Sequence, residues 1–81
     1  MLDKKVVDKW LSRFPILENF IDAGTISMKR AREILDIDRY LMKDIYGELL
    51  VAGAIRACSS NTWRATPELK EYLKERRGHI D

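Results

Sequence analysis

The stretch from Arg39 to Leu73 reads RYLMKDIYGELLVAGAIRACSSNTWRATPELKEYL, and its hydrophobic period changes twice. Leu41, Ile45, Leu49 and Ala52 recur at helical spacing, which predicts a helix over 39–52 with those four as its inner stripe. Gly53 then stops it, because glycine adopts the left-handed backbone of a helix end without a Cβ clash. Residues 54–58 and 62–65 alternate around Ser59, Ser60 and Asn61, so they read as two strands of a hairpin. Placing Ile55 and Ala57 inward with Trp63 and Ala65 leaves Arg56 and Arg64 together on the opposite face. That register needs an odd-numbered loop, which three residues with Asn61 left-handed would supply. Thr66-Pro67-Glu68 opens a further helix with a cap, a proline in the first turn and an acid near the positive end. Leu69, Tyr72 and Leu73 are its expected buried face, and Gly78 its end.

Upstream, Leu2, Val6, Trp10 and Phe14 form a ladder four residues apart, widened by Val7 and Leu11, which is an amphipathic helix closed by Pro15. Ile16, Leu17, Phe20 and Ile21 continue at helical spacing to Gly24, a left-handed cap. Thr25-Ile26 is extended, and Ser27 caps a helix that turns Ala31, Ile34 and Leu35 inward. Asp36-Ile37-Asp38 is a short turn with two carboxylates able to cap.

Composition sets the outer bounds. At 81 residues and 46% hydrophobic, the chain is one domain and not a disordered one. A lone Cys58 fits a reducing compartment and leaves no disulfide framework or multi-cysteine zinc site. No apolar run approaches the roughly 20 residues that span a bilayer, and Met1-Leu2-Asp3-Lys4-Lys5 does not open a secretion signal, so the expected place is the cytoplasm. One His and one Cys build no catalytic set or metal cluster, so neither an enzyme nor a cofactor is expected. His79 lies in a fraying tail, Trp10 and Trp63 read as core anchors, and Met28 and Met42 as gap-fillers. The net charge of +2 is unevenly distributed: residues 1–15 and 54–66 each carry an excess of two bases, while 16–37 and 38–53 are each one acid in excess. Arg56 and Arg64, two cations on one strand face with no acid nearby, are poorly explained by stability.

Three segments in order resemble the winged helix-turn-helix family: TISMKRAREILDID (25–38), LLVAGAI (49–55) and WRATPELKEYL (63–73). They are similar to its short strand and second helix, to the end of its recognition helix, and to the return strand of its wing with the following helix. The resemblance covers about 16–77. It implies a mainly α fold, with a minor β part as a two- to three-stranded wing hairpin. Residues 15–77 would be the winged helix domain, 1–14 an added amphipathic helix, and 78–81 a tail. It also implies binding to double-stranded DNA, with the 39–52 helix in the major groove and the wing on the backbone. The DNA-binding residues would be Arg39, Tyr40 and Lys43 at the recognition helix, Ser27, Lys29 and Arg30 at the start of the preceding helix, and Arg56 and Arg64 on the wing. Free N–H groups around Ser27 and Met28 would suit phosphate.

The expected role is a small transcription or replication regulator of phage, plasmid or prokaryotic type. Two alternatives stay open. Tyr40, Met42, Tyr46, Leu50 and Val51 make the 39–52 helix apolar beyond its inner stripe, as in a winged helix that binds a protein partner. RNA binding is the other. The wide stripe of the 1–14 helix suits either a homodimer interface or a cap on the chain's own core.

Overall fold

Eight elements are present in the computed structural model, which describes residues 1–21, 25–59 and 61–78. Helices α1 (Lys4–Arg13) and α2 (Leu17–Ile21) lead to a short strand β1 (Ile26–Ser27), then helices α3 (Met28–Leu35) and α4 (Arg39–Val51). Strands β2 (Ile55–Ser59) and β3 (Thr62–Ala65) form the hairpin, and α5 (Pro67–Gly78) closes the chain. The architecture is mainly helical, with one three-stranded antiparallel sheet in the order β1-β3-β2. The expectations for Gly24, Ser60, His79 and the 79–81 tail, and for the Phe20 and Ile21 side chains, fall outside the described residues.

The starts of α1, α3 and α4 are each fixed by a side chain that satisfies otherwise unpaired N–H groups. Asp3 accepts from the amides of Lys5 and Val6, Ser27 from Arg30, and Asp38 from Leu41. Asp36 ends α3 in the left-handed region at φ 55°. The amides of Asp36 and Ile37 turn back to the carbonyls of Glu33 and Arg32, a Schellman closure that sets the turn into α4.

Thr66 is the buried polar side chain among the described residues, 4% exposed. Its hydroxyl donates to the Gly53 carbonyl at 2.7 Å, with the Ala54 carbonyl at 3.2 Å, and accepts from the Leu69 amide at 3.3 Å. Gly53 has φ 80°, and a Cβ there would lie 3.1 Å from the Met1 carbonyl oxygen. The Asp3 amide donates to the Ala52 carbonyl at 2.8 Å. The N-terminus, the end of α4, the start of β2 and the start of α5 therefore meet at one junction.

The core is built from Val7, Trp10 and Leu11 of α1, Leu17, Ile26, Ala31 and Leu35, then Met42, Ile45 and Leu49 of α4, Ile55, Trp63, Leu69 and Leu73. Trp63 is fully enclosed, with the Tyr46 ring edge-on at 6.2 Å. Ile34 and Tyr72, expected inward, are half-buried, and three larger details differ from the sequence reading. The inner face of α4 includes Met42, 1% exposed, while Leu41 is half-buried at the margin. Likewise, α1 turns Val7, Trp10 and Leu11 inward and leaves Leu2, Val6 and Phe14 half-buried at the edge, and Ile16 is exposed. The α1 stripe is thus covered within the chain, and its width does not by itself call for a second copy.

The third difference is in the hairpin. Arg56 pairs with Arg64 and Ala57 with Trp63, as the side-chain pattern requires. However, Ala57 is exposed and Ser59, assigned to the loop by the sequence reading, pairs with Thr62, while the Asn61 backbone angle turns on Ser60, outside the described residues. A bulge between Ala57 and Ser59 absorbs the odd residue that the sequence reading assigned to the loop.

Polar ties hold α1 against α4 and α5. Lys9 pairs with Glu48. The Tyr72 hydroxyl donates to Asp8 Oδ1 at 2.6 Å, and this bond to a carboxylate, with burial second, raises the phenol above its ordinary 10.0.

Two stability predictions follow from this packing. Leu49→Ala, Ile45→Ala and Met42→Ala should each cost about 2–5 kcal/mol, and Leu50→Ala far less; equal chemical-denaturation midpoints for Leu49→Ala and Leu50→Ala would mean that α4 is rotated from the described orientation. Thr66→Val should cost about 1–3 kcal/mol, because the Gly53 carbonyl loses its donor and α5 its cap, while Thr66→Ser keeps most of the stability. A Thr66→Val chain as stable as wild type would show that the hydroxyl holds nothing together.

Candidate nucleic-acid interface

The N-terminal residues of α3 and α4 and the hairpin turn come together, at Ser27, Met28, Arg39 and Asn61. The Met28 amide donates to the Asn61 carbonyl at 2.8 Å, which ties the turn to the first residue of α3. Between these parts runs a groove of ≈ 650 Å³ lined by Ser27, Met28, Lys29, Arg32, Arg39, Met42, Lys43 and Asn61. Helical spacing explains the convergence. Lys29 and Arg32 are three apart on α3, Arg39 and Lys43 four apart on α4, so each pair shares a face. Met42 passes beneath them into the core, which fixes the rotation of α4. The lining carries four cations and no carboxylate.

The acids of α4 are placed elsewhere. Asp38 caps the helix. Asp44 and Glu48 line a second cleft, between α1 and α4, with Asp3, Val6, Gly47, Val51 and Ala52. Lys43 borders both clefts. A helix that is net acidic only when its cap Asp38 is counted is therefore divided lengthwise, basic towards α3 and acidic towards α1.

The cations divide in the same way. Lys9 pairs with Glu48, Arg76 approaches Asp8 and Arg77 pairs with Glu18, all on α1, α2, α4 and α5 away from the groove. Lys4 lies over the Tyr72 ring, and Arg13 over Trp10 and Phe14. The positive excess of the N-terminal segment is largely engaged inside the fold. Among the described residues, no carboxylate lies within ion-pair distance of Lys29, Arg32, Arg39 or Lys43. Unpaired cations crowded into one groove raise the local positive potential and draw in anions.

Of the sequence-predicted residues, Ser27, Lys29, Arg39 and Lys43 come together in this groove. Arg30 is exposed on α3 but does not line it. Tyr40 is 65% exposed beside it; the Arg39 guanidinium lies 5.1 Å from its ring centroid and donates to its hydroxyl at 3.2 Å. Tyr40 thus restrains Arg39. Arg56 and Arg64 stand opposite each other on the outer sheet face and line a separate cleft with Ala65, Pro67 and Lys70. The α3 start offers fewer free donors than expected, since the Met28 amide goes to Asn61 and the Arg30 amide to Ser27. Phosphate contacts in this groove would come mainly from side chains.

Sequence reasoning missed Arg32 and Asn61 as lining residues, and expected the backbone of Met28, not its side chain, to face a phosphate. Arg32 could have been found from its spacing to Lys29. Asn61 reaches α3 only once the hairpin has folded, and no local pattern signals that.

Comparison with family models, with curated proteins and with solved structures yields no match to this chain. Among the described residues, no group of three or more His, Cys, Asp or Glu could hold a metal ion, and no helix is long and apolar enough to cross a membrane.

Proposed function

We propose that the chain is a winged helix-turn-helix protein that binds double-stranded DNA through the groove between α3, α4 and the hairpin turn. The order of α2, β1, α3, α4, β2, β3 and α5 supports the family reading. In it α3 and α4 form the helix-turn-helix, α4 enters the major groove by its first turns, and the hairpin is the wing. The observation that carries the binding reading is a groove with four unpaired cations and no acid, on a chain of net charge only +2. Lys29 and Arg32 are suited to phosphates. Arg39, restrained by Tyr40, and Lys43 are suited to guanine edges, which offer two acceptors to a side-chain donor. Such a protein would act as a transcription or replication regulator.

One observation favours a protein partner instead. Val51 is 90% exposed and Leu50 40% exposed at the far end of α4, a surface without the groove's charge. The two readings differ in salt response, because displacement of counterions makes DNA binding steeply salt-dependent, whereas an apolar interface is nearly indifferent.

Fluorescence anisotropy on a random-sequence duplex pool and on a selected site, over a salt series, tests the proposal. Lys29→Ala and Arg32→Ala should each weaken binding to all duplexes and lower the salt slope by about 1. Arg39→Ala should cost about 1–3 kcal/mol on the selected site and little on random DNA. Asp44→Asn should change little, because Asp44 lines the α1–α4 cleft and not the basic groove. A wild-type chain that retains no duplex at low salt would sink the DNA reading, and preference for an A-form RNA duplex would redirect it to RNA.

A further inference from the structure

The cleft between α1 and α4, ≈ 520 Å³, is apolar within and acidic at its rim: Val6, Gly47, Val51 and Ala52 line it with Asp3, Asp44 and Glu48, against Lys43. Val51 is 90% exposed, and apolar surface left in water forgoes the stabilisation of burial. Asp3 caps α1 and Glu48 holds Lys9. Asp44 has no cation within ion-pair distance among the described residues. Gly47 sits in the third turn of α4, where glycine destabilises a helix relative to alanine. A Cβ there would meet nothing within 4 Å, so packing inside the chain does not ask for glycine. Its bareness instead lets another surface approach the α4 backbone between Asp44 and Val51, three residues before it and four after on the same face.

The base of the hairpin offers the complementary charge. Arg56 and Arg64 face each other across β2 and β3, where like charges destabilise a sheet. Lys70 of α5 joins them beside Ala65 and Pro67, and among the described residues no carboxylate lies within ion-pair distance of the three. Setting either surface against its own copy would bring like charges together. Setting one against the other brings three cations to three carboxylates. Arginine can fork onto a carboxylate with two parallel hydrogen bonds, and it is among the residue types that dominate interfaces. The groove between α3 and α4 is a poorer fit to the cleft, because docking it there would bring Lys43 of one copy to the cleft that holds Lys43 of the other. We propose that the α1–α4 cleft receives the hairpin base of a second copy of the chain, with Arg56, Arg64 and Lys70 against Asp3, Asp44 and Glu48. The bare helix at Gly47 admits the contact, and Val51 is covered by it. The two arginines then meet a neighbour's carboxylates rather than phosphates, and the contact stands whether or not the groove binds DNA.

Sedimentation equilibrium of the full chain at low salt, up to about 1 mM, where even a weak contact is populated, tests it. Wild type should rise above the mass of one chain as concentration increases, and return to it as salt screens the pairs. Asp44→Lys and Arg64→Glu should each lower the association constant about tenfold or more. An equimolar mixture of the two should restore association, because each chain keeps the surface that the other has lost. Gly47→Gln, a better helix former that fills the cleft, should raise the melting midpoint yet weaken association, a combination that misfolding cannot produce. Lys29→Ala/Arg32→Ala should associate as wild type does. Wild type that stays monomeric throughout would overturn the proposal, as would a charge-reversal variant that associates like wild type or a mixture no more associated than its components. Association untouched by Gly47→Gln, or lost in Lys29→Ala/Arg32→Ala, would overturn it as well: the first would clear the cleft, and the second would make the groove the occupant.

Discussion

The Thr66 hydroxyl, donating to the Gly53 carbonyl and accepting from the Leu69 amide, is the constraint on which the other parts depend. Gly53 takes positive φ where the chain leaves α4 and enters β2, and the Met1 carbonyl oxygen lies 3.1 Å from where a Cβ would stand. With that junction fixed, β2 starts in a single register and Ile55 pairs with Ala65. Trp63 then seals the core, and the turn reaches α3 through the Asn61 carbonyl and the Met28 amide. The groove walls are set by a buried hydroxyl at the opposite end of the sheet. A hydrogen bond of this kind contributes only about 1 kcal/mol net, but leaving its partner unsatisfied in the interior costs more.

Charge placement gives the fold an electrostatic asymmetry. Cations on α1 and at the end of α5 are engaged by Glu48, Asp8, Glu18 and aromatic rings of neighbouring elements. Those on α3, the first turns of α4, β2 and β3 have no carboxylate partner among the described residues. Exposed ion pairs add little stability, so the arrangement is not explained by what the paired set contributes. Its main effect is to leave two positively charged surfaces, one at the mouth of the groove and one at the base of the hairpin.

Much of this was legible in the sequence. The order of elements, the caps Ser27, Asp38 and Thr66, the stop at Gly53 and the Arg56–Arg64 register all follow from residue types with few conformational alternatives. Helix rotation was less legible, and it erred in the same way twice. Ladders of strict four-residue spacing, Leu2-Val6-Trp10-Phe14 and Leu41-Ile45-Leu49, drift around a helix of 3.6 residues per turn. The buried faces instead mix steps of three and four, as Val7-Trp10-Leu11 and Met42-Ile45-Leu49 do. The bulge before Ser59 was illegible because a bulge and a longer loop satisfy the same side-chain alternation. Three of the groove's four cations, Lys29 on α3 and Arg39 and Lys43 on one face of α4, were legible. Their separation from Asp44 and Glu48 was not, because it depends on which side of α4 receives α1.

The most direct test of the account is to follow backbone amide resonances of the labelled chain as a random-sequence duplex is added in limiting amount at low salt. If the groove is the DNA interface, the largest shifts fall at Ser27, Lys29, Arg32, Arg39, Lys43 and Asn61, and they collapse together as salt is raised. Shifts gathered instead at Val6, Leu50 and Val51, or no shifts at any duplex concentration, would contradict it.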